Sequence, residues 1–180
     1  MTATRRLDII VGIDPDVDGS GVAVLNPCQR MLRLEQFTLP ELVDFLKAFK
    51  QGYDEDGINW VVVVEASWKI KANWHLDHND SLQRAAAKGK KVGRNHEIGR
   101  QIVEFCKYLG IPYEEKLPLA KSWAGRDGKI TDEELRMLLE GMGIKRTFSG
   151  STNPEKRDAA LLALDRSGLP LIMTPKKKQR

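Results

Sequence analysis

The sequence predicts an α/β domain on a mixed five-stranded sheet, a three-strand antiparallel meander joined to parallel strands, with helices on both faces. Three observations lead there. Short apolar runs separated by turn residues open the chain, and an unbroken β-prone run, Trp60 to Val64, follows a helical pattern. Beyond it, helix-like and strand-like segments alternate, as they do where helical crossovers cover a parallel half-sheet.

The elements follow in order. Leu7 to Asp14 is an apolar run ending in Asp-Pro, and after a turn rich in Gly and Asp the chain resumes at Gly21 to Leu25. These read as two strands of a hairpin. Met31 to Phe37 alternates apolar and polar residues after Asn26-Pro27 and reads as a third, half-exposed strand. Pro40 opens a helix in which Leu42, Val43, Phe45, Leu46 and Phe49 recur at helical spacing, ending near Gly52. Trp60 to Val64, closed by Glu65, suits a central strand buried on both faces. From Ala66 to Lys91 the pattern is lost and a surface excursion is expected. Ile98, Ile102, Val103 and Phe105 mark a helix stopped by Gly110, and Ile111 to Tyr113 a short strand. Lys116 to Lys129 reads as a loop, Thr131 to Gly141 as a helix with a Thr131-x-x-Glu134 capping box, and Asn153-Pro154 as the start of a last, largely apolar helix.

A chain of 180 residues, 41% hydrophobic and 30% charged, fits one domain with a sizeable core. Residues 1–172 are expected to form it, and residues 173–180 a flexible basic tail. No stretch approaches the roughly 18 apolar residues of a membrane helix, and Met1 to Asp8 lacks the apolar run of a signal peptide, so a cytoplasmic protein with no membrane partner is expected. Cys28 and Cys106 match no zinc or redox spacing and read as reduced structural thiols.

The charge is localised. Lys and Arg total 29 against 25 Asp and Glu, and the excess lies in the tail, with Lys176, Lys177, Lys178 and Arg180. Within the body, Arg84 to Arg100 holds six basic residues and one acid. Localised positive charge points to an anionic partner. Lys88, Lys90, Lys91, Arg94 and Arg100 lie in a Gly-punctuated segment downstream of Trp68 and Trp74, a composition suited to phosphates and unpaired bases. A solvated basic loop is the plain alternative. His75 and His78 lack a third partner nearby and read as surface residues, and Trp123 as a packing residue.

Four acids fall at the ends of buried elements: Asp14, Glu65, and the pair Glu155 and Asp158 at the start of the last helix. The i, i+3 spacing puts that pair on one helix face. If the first and central strands are parallel neighbours, Asp14 and Glu65 emerge side by side and the last helix delivers its acids to them. Such a cluster repels itself unless it binds protons or a cation, and hard oxygen ligands favour Mg²⁺ or Mn²⁺. Two ions about 3.5–4 Å apart activate water and stabilise the leaving oxygen in phosphodiester hydrolysis. Each acid also has an ordinary reading: Asp14 capping a turn, Glu65 paired with Lys69 or Lys71, Glu155 and Asp158 complementing a helix dipole. Asp14, Asp16, Asp18 and Gly19 match half of an EF-hand calcium loop, but Leu25 stands where the bidentate Glu is required.

Val11-Gly12-Ile13-Asp14-Pro15 with Gly19, Gly21 and Val22, Val61 to Glu65, and Asp158-Ala159-Ala160 before an Ala/Leu helix together resemble the RuvC-type Holliday junction resolvases of the ribonuclease H-like superfamily. Gly125 and Lys129 before Leu135 to Leu139 extend the resemblance over nearly the whole chain. It implies that Asp14, Glu65, Glu155 and Asp158 are the metal-binding and catalytic tetrad and that Lys121 and Lys129 contact DNA near the scissile phosphates. It also implies a homodimer, because a four-way junction needs two symmetric cuts. The chain departs from the family pattern at Asp16, where a glycine is usual, and at Glu155, where an Asp is typical. The expectation is a metal-dependent, structure-selective endodeoxyribonuclease acting on branched DNA. A YqgF-like or other ribonuclease of the same fold, and a non-catalytic nucleic-acid-binding protein, are the alternatives.

Overall fold

A computed structural model describes residues 7–70, 81–120, 122–147 and 152–171. The sheet has the order β5-β4-β1-β2-β3-β6. β1 (Ile9–Asp14), β2 (Ser20–Asn26) and β3 (Met31–Phe37) form the expected meander. β4 (Trp60–Glu65) pairs parallel to β1, and β5 (Tyr113–Lys116) parallel to β4. The sixth strand, β6 (Lys145–Arg146), adds two residues parallel to β3 and was not anticipated, since two residues carry no periodicity to read.

Alternation along the strands divides the core between the two faces. On one face Ile10, Val61 and Val63 meet α3 (Asp132–Gly141) and α4 (Pro154–Arg166). On the other Val11, Ile13, Val62 and Val64 meet α1 (Leu39–Glu55) and α2 (Leu82–Tyr108). The Thr131 capping box forms as predicted: the Glu134 carboxylate accepts from the Thr131 backbone N–H at 2.9 Å, and the Thr131 hydroxyl accepts from the Glu134 N–H at 3.2 Å.

Two expectations are corrected. The stretch read as a surface excursion to Lys91 is helical from Leu82, making α2 a 27-residue helix. Its first half is held by Ser81 as N-cap, whose hydroxyl accepts from Arg84 N–H at 3.3 Å, and by Ala, Lys and Arg propensity. It has little apolar face, so no hydrophobic period betrays it. β5 begins two residues later than predicted. Ile111 is buried below the sheet edge, and Pro112 enters the ladder only through its carbonyl, which accepts from Val62 N–H at 2.9 Å.

Cys106 is buried in the α2-side core, and burial pushes its thiol up to about 12. Cys28 is exposed in the β2–β3 turn, so the expectation of a structural thiol holds only for Cys106. Among the described residues no helix is long and apolar enough to cross a membrane. Trp74, His75, His78, Lys121 and the 173–180 tail lie outside the described residues.

Candidate active site

Ile13 pairs with Val64 across β1 and β4, so the next residue of each strand, Asp14 and Glu65, leaves the sheet at the same end. Alternation places Asp14 in phase with Ile10 and Gly12, and Glu65 in phase with Val61 and Val63, on the face that α4 covers.

α4 reaches that face because glycines and alanines let it. A Cβ on Gly12 would lie 2.3 Å from the Ala159 carbonyl oxygen, and one on Gly21 would lie 2.1 Å from that of Glu155. Ala159 to Leu164 are all buried. Both ends of α4 are fixed. Asn153 caps it, accepting from Lys156 N–H at 2.9 Å and donating to Gln36 Oε1 at 2.7 Å. At the other end Arg166 holds Glu114 with two bonds of 2.6 and 2.7 Å. The first two turns of α4 thus bring Glu155 and Asp158 to the strand ends carrying Asp14 and Glu65.

The four acids share one electrostatic neighbourhood. Asp14 keeps some exposed surface, yet the protein around its carboxyl raises its proton affinity well above the ordinary carboxylate value. Burial is the main cause, followed by the charges of Glu65 and Asp158; Lys129 opposes the shift, and Glu155 adds a little. The Lys129 Nζ lies 2.9 Å from Asp158 Oδ2. Burial works against this ammonium, but its bond to Asp158 and the fields of Asp14 and Glu155 outweigh burial and hold its proton more tightly than usual.

The loop presenting Lys129 is built for it. Gly125 N–H donates to the Lys129 carbonyl at 3.0 Å, and a Cβ at Gly125 would sit 2.3 Å from that oxygen. Arg157, the residue before Asp158, donates to the Ile130 carbonyl at 2.7 Å. Consecutive residues of α4 therefore hold consecutive residues of the loop. Glu65, Asp158, Lys129, Trp123 and Leu161 line a small cleft of about 20 Å³, room for about one water-sized group.

Among the described residues no three acid, histidine or cysteine side chains converge into a ready coordination sphere. The acids are neighbours in field, with Asp158 occupied by Lys129. The donor set itself, carboxylate oxygens around a buried acid that resists ionising, suits a hard divalent cation.

Lys88, Lys90, Lys91 and Arg94 all stand exposed on the first half of α2, as does Arg84. Trp68 does not join them as an open stacking surface. Its ring packs under α2, 2.2 Å from where a Cβ of Gly99 would be. Lys69 pairs with Glu115 at 3.0 Å and not with Glu65. The half EF-hand loop is flanked by strands, and Asp16 spends its oxygens on Asp18 N–H and Asn95, both at 2.9 Å. Sequence reasoning missed Asn95, whose partners lie 78 or 79 residues away, and the bond from Arg157 to Ile130, 27 residues away, both at no readable spacing.

No protein-family model matches the chain, and no curated protein matches it. Its fold is similar to that of Thermus thermophilus RuvC in complex with a Holliday junction substrate, at 18% identity over 92% of this chain and 99% of that one, with a TM-score of 0.45. A second Thermus thermophilus RuvC structure is similar over the same shares at 18% identity and a TM-score of 0.40.

Proposed function

We propose that this chain is a divalent-metal-dependent, structure-selective endodeoxyribonuclease whose substrate is branched DNA, foremost the four-way junction. The observation that carries the reading is the electrostatic neighbourhood that Asp14, Glu65, Asp158 and Glu155 share with one lysine at the end of the sheet. Asp14, Glu65, Glu155 and Asp158 would hold Mg²⁺ or Mn²⁺, two ions in the fullest case. Bound there, the metal supplies charge for the phosphate and acidifies water for attack on phosphorus.

The chain's own residues set the rest. α4 fixes two acids relative to two strand ends by packing on Gly12 and Gly21. Lys129, 2.9 Å from Asp158, would be the cation of this cluster that meets a non-bridging phosphate oxygen and offsets the charge developing there. The exposed cations of α2 would hold the phosphate backbone, with Lys121 adding to their charge. Two symmetric cuts require a homodimer, and the proposed setting is the cytoplasm.

The test is an assay of purified protein with Mg²⁺ or Mn²⁺ on four-way junction, flap, duplex and RNA–DNA hybrid. Junction cutting in symmetric pairs, lost in Asp14→Asn and Glu65→Gln with binding retained, is expected. Preferred cutting of the hybrid would transfer the site to RNA chemistry, and full cutting by both variants would refute the assignment.

A further inference from the structure

α2 touches both loops that follow the sheet acids. The Asn95 side chain bridges to the loop after Asp14: its Nδ2 donates to Asp16 Oδ2 at 2.9 Å, and its Oδ1 accepts from the Val17 backbone N–H at 3.1 Å. The second Asp16 oxygen accepts from Asp18 N–H at 2.9 Å, closing the turn on itself. One helical turn further along, Gly99 lies against the ring of Trp68, in the 3-10 turn Ser67–Lys69 that follows Glu65. Asn95 and Gly99 are i, i+4 neighbours on one face, so a single rigid stretch of helix meets both loops.

The chemistry of the bridge is specific. Position 95 must donate to a carboxylate and accept from a backbone N–H at once, and a primary amide does both. An aspartate there has no donor and would face Asp16 charge to charge, while an aliphatic residue offers neither group.

We infer that Asn95 is a positioning residue for the active site: its two hydrogen bonds, one to Asp16 and one from Val17, fix the Asp14 loop on α2 and so set its place relative to the Glu65 loop that the same helix holds through Gly99. Asn95 touches no reacting atom. The inference rests on the nuclease reading for its consequence in catalysis, and its structural part stands apart from that reading.

The experiment is a swap. Asn95→Asp keeps size and removes the donor. The double variant Asp16→Asn with Asn95→Asp restores every bond, because the amide now at position 16 donates across, still accepts from Asp18 N–H, and the carboxylate at position 95 still accepts from Val17 N–H. Three quantities are measured: junction cutting at saturating DNA and Mg²⁺, Mn²⁺ affinity by calorimetry without DNA, and hydrogen exchange of the Val17 and Asp18 amides without metal or DNA. Asn95→Asp is expected to slow cutting about tenfold or more at unchanged junction affinity, weaken Mn²⁺ binding and speed Val17 exchange. The swap is expected to return all three towards wild type.

Wild-type cutting and exchange in Asn95→Asp would overturn the inference, as would a swap that rescues neither. A wild-type protein that cuts no substrate would instead refute the nuclease reading, and the exchange and Mn²⁺ measurements would still decide whether Asn95 fixes the Asp14 loop.

Discussion

Asp14 lies where burial and three neighbouring acids oppose its ionisation, so its charge works against folding. Its folded-state proton affinity exceeds that of the unfolded chain. The folded state therefore binds more protons than the unfolded one between the ordinary carboxylate value, about 4, and the raised one. Across that window stability falls as pH rises; below it the contribution is fully present, and above it the loss is complete. Asp14→Asn removes the titration. Metal-free unfolding in urea should show the variant more stable than wild type at pH 7. The advantage should vanish near pH 4, and Mg²⁺ should narrow it at pH 7 by stabilising the wild type alone. A variant less stable than wild type at pH 7 would mean that Asp14 is compensated in the apoprotein.

Among the elements, α4 decides whether the acids meet, and it depends on two sheet glycines. Gly21→Ala places a Cβ 2.1 Å from the Glu155 carbonyl oxygen, a backbone atom that cannot step aside. Moving α4 should cost about 1–3 kcal/mol in stability and lower cutting further still, because Glu155 and Asp158 move with it. Gly52→Ala in exposed α1 meets nothing within 4 Å and should raise stability by about 0.5–1 kcal/mol. Equal unfolding midpoints for the two variants would refute the close-approach argument. β1 to β4, α1, α3 and α4 were legible because each carries a buried stripe or a cap: Trp60 to Val64 by composition, α3 by Thr131 and Glu134, α4 by Asn153-Pro154. The acid cluster followed from the same signals, as Asp14 and Glu65 end strands and Glu155 and Asp158 begin a helix. What escaped has no local signature. The first half of α2 stands on propensity without an apolar face, and the Asn95 bridge joins residues that only the fold brings together.

At the scale of the whole fold, the site acids lie at one end of the sheet, and Arg84, Lys88, Lys90, Lys91 and Arg94 stand exposed along the first half of α2. Arg84, Lys88 and Lys91 precede Asn95 by 11, 7 and 4 residues, so this stripe runs in phase towards the bridge that fixes the Asp14 loop. Holding DNA and cutting it then fall to separable groups. Each phosphate neutralised by α2 releases counterions, whereas the acids release none on binding DNA. Replacing Lys90, Lys91 and Arg94 together by alanine should lower the magnitude of the log K against log salt slope for duplex by up to about 2.7, at roughly 0.9 per contact. The rate of cutting at saturating DNA should change far less than the affinity. Asp14→Asn should do the reverse, keeping the slope and losing the cutting. Binding measured by fluorescence anisotropy from low to moderate salt checks both variants. An unchanged slope in the triple variant would make α2 a bystander, and a lost rate at saturation would show that its cations reach the reacting phosphate themselves.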